Sequence, residues 1–422
     1  MAATFLYAVR YWVEAQCRTP LRTGGADGDV EAVLTDSDGH PFVQGSSLAG
    51  AMRSWIEGKN QPGLTEALFG SQKQAGHLMV SDARFSPETE RSLRPRLRID
   101  GATGSAAQGG KFDVAQVNAG SRFSFELTWL GGKQSSPELT AVEQSLSAMN
   151  QGIICLGAQK SSGFGRVSLS VDKYVYDMTQ EQDREAWLDD KACGKPLNLP
   201  EVKNIDRVIF TLTGRADSLL VKAAAAKQKD GRTVTQNLEE NGRTVLPGSS
   251  LKGAVRARAE LIVRSTGRPE ELVEDLFGRG ANGDDQGKPG QIRFEDIYLD
   301  TAQKQRISRI RINRFTGGVM RGGLFQEEPL CSEITLEISA PADRPTGCAL
   351  LLYALRDLAL GLYNLGSGGS IGRGYLQVSQ IAVKTPSGGT AALNFGSENG
   401  STISDPDGVF AAWMQAWKEG AE

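Results

Sequence analysis

The chain contains one series of motifs twice, and this repeat constrains the fold more than any other sequence feature. GSSLAGAMR at 45–53 returns as GSSLKGAVR at 248–256, with seven of nine positions identical. Four more motif pairs follow in the same order: LFG (68–70, 276–278), GHLMVSD and GQIRFED (76–82, 290–296), RLRIDGATG…GGKF and RIRINRFTG…GGLF (96–112, 309–325), GFGR and GRGY (163–166, 372–375). Such an ordered set of matches predicts two tandem copies of one domain.

The copies are separated by a polar segment. Residues 177–204 are rich in charges and contain a glycine and two prolines, which is typical of a linker. The predicted segments are a first domain at 1–180, a linker at 181–204, a second domain at 205–385 and a tail at 386–422. The tail begins Gly- and Ser-rich and then has Phe410, Met414 and Trp417 at helical spacing. We expect a loose connection followed by a short docking helix there.

Each copy shows the element order of an α+β domain. Alternating apolar residues at 5–13 and 208–212 predict a half-buried opening strand. A helix is expected to follow each GSSL block, with one of the two serines as its N-cap. Further strands, a second helix, a Gly-rich loop and a last strand come next. This order predicts two ferredoxin-like, RNA-recognition-like sandwiches.

Composition excludes several classes of function. The five cysteines form no CxxC pair, which argues against a zinc cluster, and only His40 and His77 could act as imidazole bases. No apolar run is long enough to cross a bilayer, and the first residues lack the pattern of a secretory signal, so we expect a cytoplasmic protein without a membrane partner. The net charge of −3 means that binding of a polyanion needs locally clustered Arg and Lys.

The two GSSL blocks are candidate phosphate-binding sites. Each places two hydroxyls and N–H groups at a predicted helix start, followed by basic side chains. The candidate residues are Ser46, Ser47 and Arg53 in the first copy, and Ser249, Ser250, Lys252 and Arg256 in the second. A Ser-capped helix without any ligand explains the same pattern. The spacing does not match a Walker loop, which argues against nucleotide hydrolysis.

Two Gly-rich loops and two basic segments are further candidates for RNA binding. The first and second Gly loops, 161–167 and 368–376, follow a long helix in each copy, so their amides could approach phosphates; a tight helix-to-strand turn is the alternative. The first and second arms, 91–113 and 306–326, are basic, partly apolar, Gly-tipped hairpin-like segments that could follow a phosphate backbone or insert between bases; a solvated charged hairpin is the alternative. The candidates are Gly163, Gly165, Arg166, Gly372, Arg373 and Gly374 in the loops, and Arg98, Arg311 and Arg314 in the arms.

The complete ordered set of motifs, present twice, resembles the RAMP superfamily of CRISPR-associated proteins, in particular the backbone subunits of type III effector complexes. The resemblance covers almost the whole chain, as if two backbone subunits were fused. It implies two tandem RAMP domains with inserted thumb-like hairpins that hold a guide CRISPR RNA and displace base pairs of the guide–target duplex. The implied partners are that guide, a single-stranded target RNA and other subunits of the complex.

The resemblance also implies a cleavage residue. In active relatives an aspartate 16 residues before the Gly of GSSL cuts the target RNA with a divalent metal. That count reaches Asp29 in the first candidate loop, 24–31, and it predicts Asp29 as the ligand of Mg²⁺ or Mn²⁺. The neighbouring Asp27 is a further candidate catalytic residue. In the second candidate loop, 223–247, the count reaches Arg232, two residues from Asp230. Asp230 can act as the cleavage residue of the second copy only if this loop is longer or shifted.

Two alternatives remain open. One is a purely architectural backbone subunit without an active site. The other is a guide-RNA-processing endonuclease of the same superfamily, which usually needs a general base such as histidine. His40 and His77 have no counterparts at matching positions of the second copy.

Overall fold

The computed structural model describes residues 5–24, 32–59, 61–100, 104–133, 136–190, 194–203, 206–221, 226–227, 233–280, 287–397 and 400–420. The chain divides into two compact units. The first comprises Met1–Arg96, Asp113–Lys160 and Phe164–Lys203, and the second comprises Leu97–Phe112, Ser161–Gly163 and Asn204–Glu422. No helix within these described ranges is both long and apolar enough to cross a membrane.

The first copy contains a long central strand, its neighbours and two main helices. Its elements are β1 Tyr7–Cys17, β2 Phe42–Val43, α1 Gly45–Glu57, α2 Pro62–Phe69, β3 Leu78–Val80, β4 Ala83–Phe85, β5 Arg91–Ile99, β6 Ala106–Val117, β7 Arg122–Gly131, α3 Pro137–Asn150, β8 Val167–Asp177, α4 Glu181–Leu188 and β9 Lys195–Pro196. β1 lies between β7 and β8 and is antiparallel to both. The strand order is β2-β4-β7-β1-β8-β9, with β3 also on β7.

One face of this sheet packs against the helices and forms the first core. Val9, Tyr11 and Val13 alternate along β1 and are buried with Leu48 of α1 and Leu146 of α3. Because strand side chains alternate between faces, the intervening positions point to the opposite side of the sheet. There Trp187 of α4 packs edge-on against Tyr176 of β8.

The second copy repeats this arrangement. Its elements are β10 Arg207–Leu219, β11 Ala226–Lys227, β12 Thr233–Thr235, β13 Glu239–Glu240, β14 Arg243–Leu246, α5 Gly248–Ser265, α6 Glu271–Phe277, β15 Arg293–Phe294, β16 Ile297–Tyr298, β17 Gln303–Lys304, β18 Ile307–Ile312, β19 Val319–Glu327, β20 Leu330–Pro341, α7 Pro345–Ala359, β21 Leu376–Lys384, β22 Thr390–Ser397, β23 Gly400–Ser404 and α8 Val409–Glu419. β10 lies between β20 and β21, antiparallel to both.

Both sheets therefore have the ferredoxin-like order, with the first strand between the third and fourth strands of the core motif. The second sheet runs β15-β20-β10-β21-β22-β23. Its core joins the helix-facing side of β10 to α5 and α7 through residues such as Phe210, Leu251 and Leu355. The prediction of tandem α+β, ferredoxin-like domains is confirmed.

The segments outside the two core motifs are also folded. Within 181–204, α4 is followed by β9, which pairs with β8. The loose connection expected after Pro386 is wrong, because β22 pairs with β21 and β23 pairs with β22, so the sheet continues there. In α8, Phe410, Trp413 and Trp417 are buried in the second core. The domain boundaries themselves stay a prediction.

The helices after the GSSL motifs start differently from our expectation. Neither helix has a side-chain N-cap, since Gln44 and Pro247 occupy the cap positions and the serines lie inside the first turn. Instead, the aspartate at the end of a later motif caps each helix, in GHLMVSD of the first copy and in GQIRFED of the second. Asp82 Oδ1 accepts from the Gly45 amide at 2.7 Å, and Asp296 Oδ1 accepts from the Gly248 amide at 2.7 Å.

This contact explains why two distant motifs recur together. A Cβ on Gly45 would lie 2.4 Å from Val80 O, and one on Gly248 would lie 2.6 Å from Phe294 O. Only glycine lets the helix start approach the strand so closely. The aspartate then satisfies one of the otherwise unpaired amides and places negative charge at the positive end of the helix dipole.

Asp82→Ala is expected to destabilise the first copy by about 1 kcal/mol, the usual effect of losing a helix-capping oxygen. Asp82→Asn should retain most of that stability because its amide oxygen can still accept the Gly45 amide. The measurement is hydrogen exchange of peptides that cover α1, recorded at increasing urea concentrations. Equal stability of the alanine variant and the parent would contradict the capping role.

Candidate nucleic-acid interface

The predicted cleavage residues Asp27, Asp29 and Asp230 lie outside the described residues, so their assignment stays a prediction. The segments that lead into both candidate loops are described. They show where each loop begins relative to the arm and the Gly loop of its own copy.

In the first copy, the segment after β1 is held from two sides. Leu21 pairs with Val117 at the base of the arm, through N–O distances of 3.0 and 2.8 Å. From the other side, the Gly165 amide donates to Pro20 O and the Ala158 amide donates to Arg22 O, both at 2.9 Å. The candidate loop therefore starts where the arm base meets the Gly loop.

The second copy repeats these contacts at matching positions. Leu219 pairs with Leu330, just after the arm strand β19. The Gly374 amide donates to Ser218 O at 2.8 Å, and the Ser367 amide donates to Leu220 O at 2.8 Å. Two independent copies of one junction indicate that the fold uses it to position the loop that follows.

The far side of the second candidate loop also reaches the arm. Strand β12 runs parallel to β19, with Val234 opposite Gln326 and Thr235 opposite Glu327. The Glu328 amide then donates to Thr235 O at 2.9 Å. The chain just beyond Asp230 is thus attached to the base of the second arm.

The glycines of the Gly loops are required by close backbone approach. A Cβ would lie 2.0 Å from Leu156 O at Gly165 and 1.9 Å from Leu365 O at Gly374, and both glycines have positive φ. Gly163 and Gly372 also have positive φ. These are tight turns that hold the neighbouring backbone.

The phosphate-cradle mechanism expected for these loops is wrong for the amides that donate within the chain. The Gly372 amide donates to Gly369 O and the Arg373 amide donates to Gly368 O, both at 3.1 Å. The Arg166 amide donates to Thr19 Oγ1 at 3.0 Å. Contact of these residues with RNA through other atoms stays a prediction.

The candidate residues of the GSSL blocks differ in accessibility. Ser46 and Ser47 are exposed, whereas Ser249 and Ser250 are half-buried. The basic residues already have protein partners: Arg53 pairs with Glu57 at 2.9 Å, Arg256 donates to Glu260 at 2.8 Å and to Gly278 O at 2.7 Å, and Lys252 donates to Ser161 Oγ at 2.8 Å. Phosphate binding by these residues would compete with those contacts and stays a prediction.

Both arms are antiparallel hairpins whose outer parts are solvent-exposed. The first consists of β5 and β6, and the second of β18 and β19. Arg98, Arg311 and Arg314 are exposed on them. Large apolar side chains are exposed on the same hairpins: Leu93, Leu97, Ile99, Phe112, Ile310, Ile312, Phe315, Val319, Met320, Leu324 and Phe325.

An arm surface that combines exposed arginines with exposed apolar side chains fits contact with nucleic acid better than contact with solvent alone. Cations contact phosphates, while apolar and aromatic faces stack on bases. The Arg311 guanidinium lies 5.5 Å from the Phe325 ring centroid, so the aromatic face and the charge are adjacent. The sequence predicted basic, partly apolar arms, and the structure shows that these apolar side chains are exposed beside the arginines.

The tip of the second arm presents an aromatic side chain. Asn313 Oδ1 accepts from the Phe315 amide at 2.8 Å, and the Gly317 amide donates to Asn313 O at 2.9 Å. This turn leaves Phe315 99% exposed. In the first arm the Gly104 amide donates to Asp100 O at 2.8 Å, which is the same turn contact.

The described residues contain one group of side chains with metal-ligating atoms close together. Asp36, Asp38 and His40 have such atoms within 4.8 Å of one another. However, Asp36 Oδ1 accepts the amides of Asp38 and His40 at 3.0 and 2.9 Å, and the His40 bond is the main reason that the pKa of Asp36 is lowered. A local turn accounts for the geometry of this group. The carboxylates of Asp27 and Asp29 offer oxygen donors of the kind Mg²⁺ prefers, as do those of Asp36 and Asp38.

Comparison with known proteins gives three results. The RAMP superfamily model matches residues 14–168 and 229–377. The CRISPR system Cms endoribonuclease Csm3 of Methanocaldococcus jannaschii is 26% identical over 185 residues, which is 37% of this chain and 72% of that protein. A chain of the cryo-EM structure of the type III-B Cmr-beta complex bound to cognate target RNA is 18% identical, with a TM-score of 0.33, over 41% of this chain and 62% of that chain.

The family matches fall separately on the two copies, and together they include most of the chain. Each copy has the same sheet order and the same junction between arm and Gly loop. The chain therefore belongs to the RAMP superfamily and contains its domain twice.

Proposed function

We propose that this protein is a two-domain backbone subunit of a cytoplasmic type III CRISPR ribonucleoprotein, which holds a guide RNA paired to a target and cleaves the target RNA. The similarity to Csm3, named as an endoribonuclease, supports both parts of this proposal. The other subunits of such a complex would be its protein partners. Base pairing with the guide would supply sequence specificity, while the protein contacts the shape and backbone of the duplex.

The observation that carries the proposal is the junction at which each candidate loop begins. Leu21 and Leu219 pair with the arm side of their own copy, while the residue before each of them accepts the amide of a Gly-loop glycine, Gly165 or Gly374. An arm that separates bases and a loop that cuts beside them must keep a fixed mutual position. The junction provides that constraint in both copies.

In this proposal Asp29 would hold the scissile phosphate region through a divalent ion, Mg²⁺ or Mn²⁺. When bound, the ion supplies positive charge that offsets the charge developing at the phosphate. The arm residues Arg98, Arg311 and Arg314 would bind phosphates and orient the strand. Their exposure leaves them accessible to RNA.

A purely architectural role is favoured for the second copy by one observation. The position 16 residues before its GSSL glycine is Arg232, whereas the first copy has Asp29. A cation in that place cannot serve as a metal ligand. If Asp230 does not replace it, the second copy only holds RNA.

Arg311→Ala combined with Arg314→Ala is expected to weaken binding of single-stranded RNA and to reduce its salt dependence. The logarithm of the binding constant falls as the logarithm of the salt concentration rises. Each lost phosphate contact should make this slope less negative by about 0.7. The measurement is fluorescence anisotropy of labelled RNA with the full chain between low and moderate NaCl.

Arg264→Ala is the matched control, because Arg264 is an exposed arginine in the last turn of α5, far along the helix from GSSL. This variant should retain the parent slope. An unchanged slope for the arm variant, or an equal decrease for the control, would contradict RNA binding by the second arm.

A further inference from the structure

The residue between the two glycines of each Gly loop contacts the arm of its own copy, and the two copies use different chemistry. GFGR in the first copy aligns with GRGY in the second, so Phe164 corresponds to Arg373. The glycine that follows this residue, Gly165 or Gly374, donates its amide to the segment that leads into the candidate loop. The central residue is therefore placed between that segment and the arm base.

In the first copy this contact is aromatic. Phe164 is fully buried, and the Arg94 and Arg96 guanidinium groups of β5 lie 4.9 and 5.4 Å from its ring centroid. Arg94 is only 2% exposed. Val114, on the partner strand β6, is also fully buried. A buried ring with cations over its face gives a strong cation–π contact.

In the second copy the same place holds an ion-paired cluster. Arg373 donates to Glu327 Oε2 at 2.6 Å, and Arg309 of β18 donates to the same carboxylate. Arg309 aligns with Arg96, and Glu327 aligns with Val114. Arg373 is 5% exposed and Glu327 is 7% exposed. Although desolvation raises the pKa of Glu327, hydrogen bonds from the two arginines lower it overall, so the carboxylate is charged.

We propose that Phe164 and Arg373 are positioning residues that fix the arm relative to the candidate loop, and that the Phe–Val and Arg–Glu pairs are interchangeable solutions for this contact. The two copies differ at both aligned positions, 164/373 and 114/327. This is expected if the two side chains of each copy pack at the same place. The relevance to RNA cleavage rests on the proposed function, but the contact itself does not.

The physical chemistry predicts a pattern that a merely structural residue would not show. Removing one member of a buried ion pair leaves an uncompensated charge, whereas replacing both members with apolar groups is often neutral. Arg373→Phe alone removes one of the two arginines that pair with Glu327, and Glu327→Val alone removes the buried carboxylate that Arg373 and Arg309 share. The double variant places in the second copy the two residues that occupy the aligned, buried positions of the first copy, with Arg309 able to lie over the introduced ring.

The test is hydrogen–deuterium exchange of the full chain without RNA. In Arg373→Phe and in Glu327→Val, amides of 307–327 should exchange about tenfold faster or more, while the core strands of both copies stay protected. In Arg373→Phe/Glu327→Val, exchange of the arm should return to within about threefold of the parent. Arg264→Ala should leave the arm unchanged.

The reciprocal exchange in the first copy provides a second measurement. Phe164→Arg should loosen residues 91–99 and 106–117, and Phe164→Arg/Val114→Glu should restore their protection. The proposal is overturned if the single variants leave the arms unchanged, or if each double variant is as loose as its worse single variant. If a single variant unfolds one copy entirely, recovery in its double variant still decides the question.

A cleavage assay then separates this proposal from the proposed function. In a complex reconstituted with guide and labelled target, Phe164→Arg should reduce only the cut assigned to Asp29 of the first copy, and Phe164→Arg/Val114→Glu should restore it. Restored exchange protection without any RNA cleavage would leave the contact supported and would contradict the cleavage function.

Discussion

Asp29→Ala is expected to abolish one distinct target-RNA cut while leaving guide and target binding unchanged. The alanine removes the carboxylate that would hold the divalent ion, and loss of an essential metal ligand or electrostatic group lowers a rate by about 10²-fold or more. The measurement is cleavage of end-labelled target RNA in the reconstituted complex, with Mg²⁺ present or withheld. Withholding the metal should remove every cut.

Asp38→Ala is the matched control for this variant. Asp38 is an exposed carboxylate in the turn that follows the first candidate loop, and it lies beside Asp36 and His40. Its loss should leave the cut intact. If Asp38→Ala abolishes the cut and Asp29→Ala does not, the metal site lies in that turn and the assignment to Asp29 is wrong.

Asp230→Ala tests the second copy separately. Loss of a second, different cut would show that the loop is shifted relative to the count from GSSL. An unchanged cutting pattern would support an architectural second copy. Asp27→Ala in the same series shows whether the neighbouring carboxylate of the first candidate loop contributes to the same cut as Asp29.

Gly165→Ala is expected to have the largest effect on folding of the first copy. Its Cβ would lie 2.0 Å from Leu156 O, and its φ of +87° is unfavourable for any L-residue with a side chain. Relieving the overlap must also break the amide bond to Pro20 O. We expect a loss of at least about 2 kcal/mol, from strained backbone together with a lost hydrogen bond.

Gly39→Ala separates the two causes. Gly39 has a similar positive φ of +81°, but nothing lies within 4 Å of its Cβ position. Gly39→Ala should therefore lose only the stability that a positive φ costs an alanine, about 1 kcal/mol. Because a two-domain chain does not unfold in one step, local exchange and limited proteolysis of the first copy are the measurements. Equal losses in both variants would refute the close approach.

Much of the fold could be predicted from the sequence because a repeat can be read directly along the chain. The matching motifs predicted two copies, and the order of strands and helices predicted the ferredoxin-like sheets. The hairpin nature of both arms followed from their Gly tips. These inferences needed only periodicity, order and turn residues, which local propensity controls.

The roles of individual motif residues did not follow in the same way. The serines of GSSL were the natural caps by local rules. Instead, the carboxylates of Asp82 and Asp296, more than thirty residues later, accept the amides of Gly45 and Gly248. The Gly loops suggested free amides, but the Gly165 and Gly374 amides hold the segments before the candidate loops, and the Gly372 and Arg373 amides donate within their own loop. Both corrections depend on contacts between residues that are distant along the chain.

The sequence by itself determined that this protein is a duplicated RAMP-like α+β chain with basic arms, because repeats, spacing and charge are readable without coordinates. Only the tertiary structure decided that Phe164 and Arg373 face the arm bases and that both candidate loops begin between arm and Gly loop. The reason is physical: which atoms meet is set by packing and hydrogen-bond satisfaction in three dimensions, and the same place can be filled by a ring or by an ion pair.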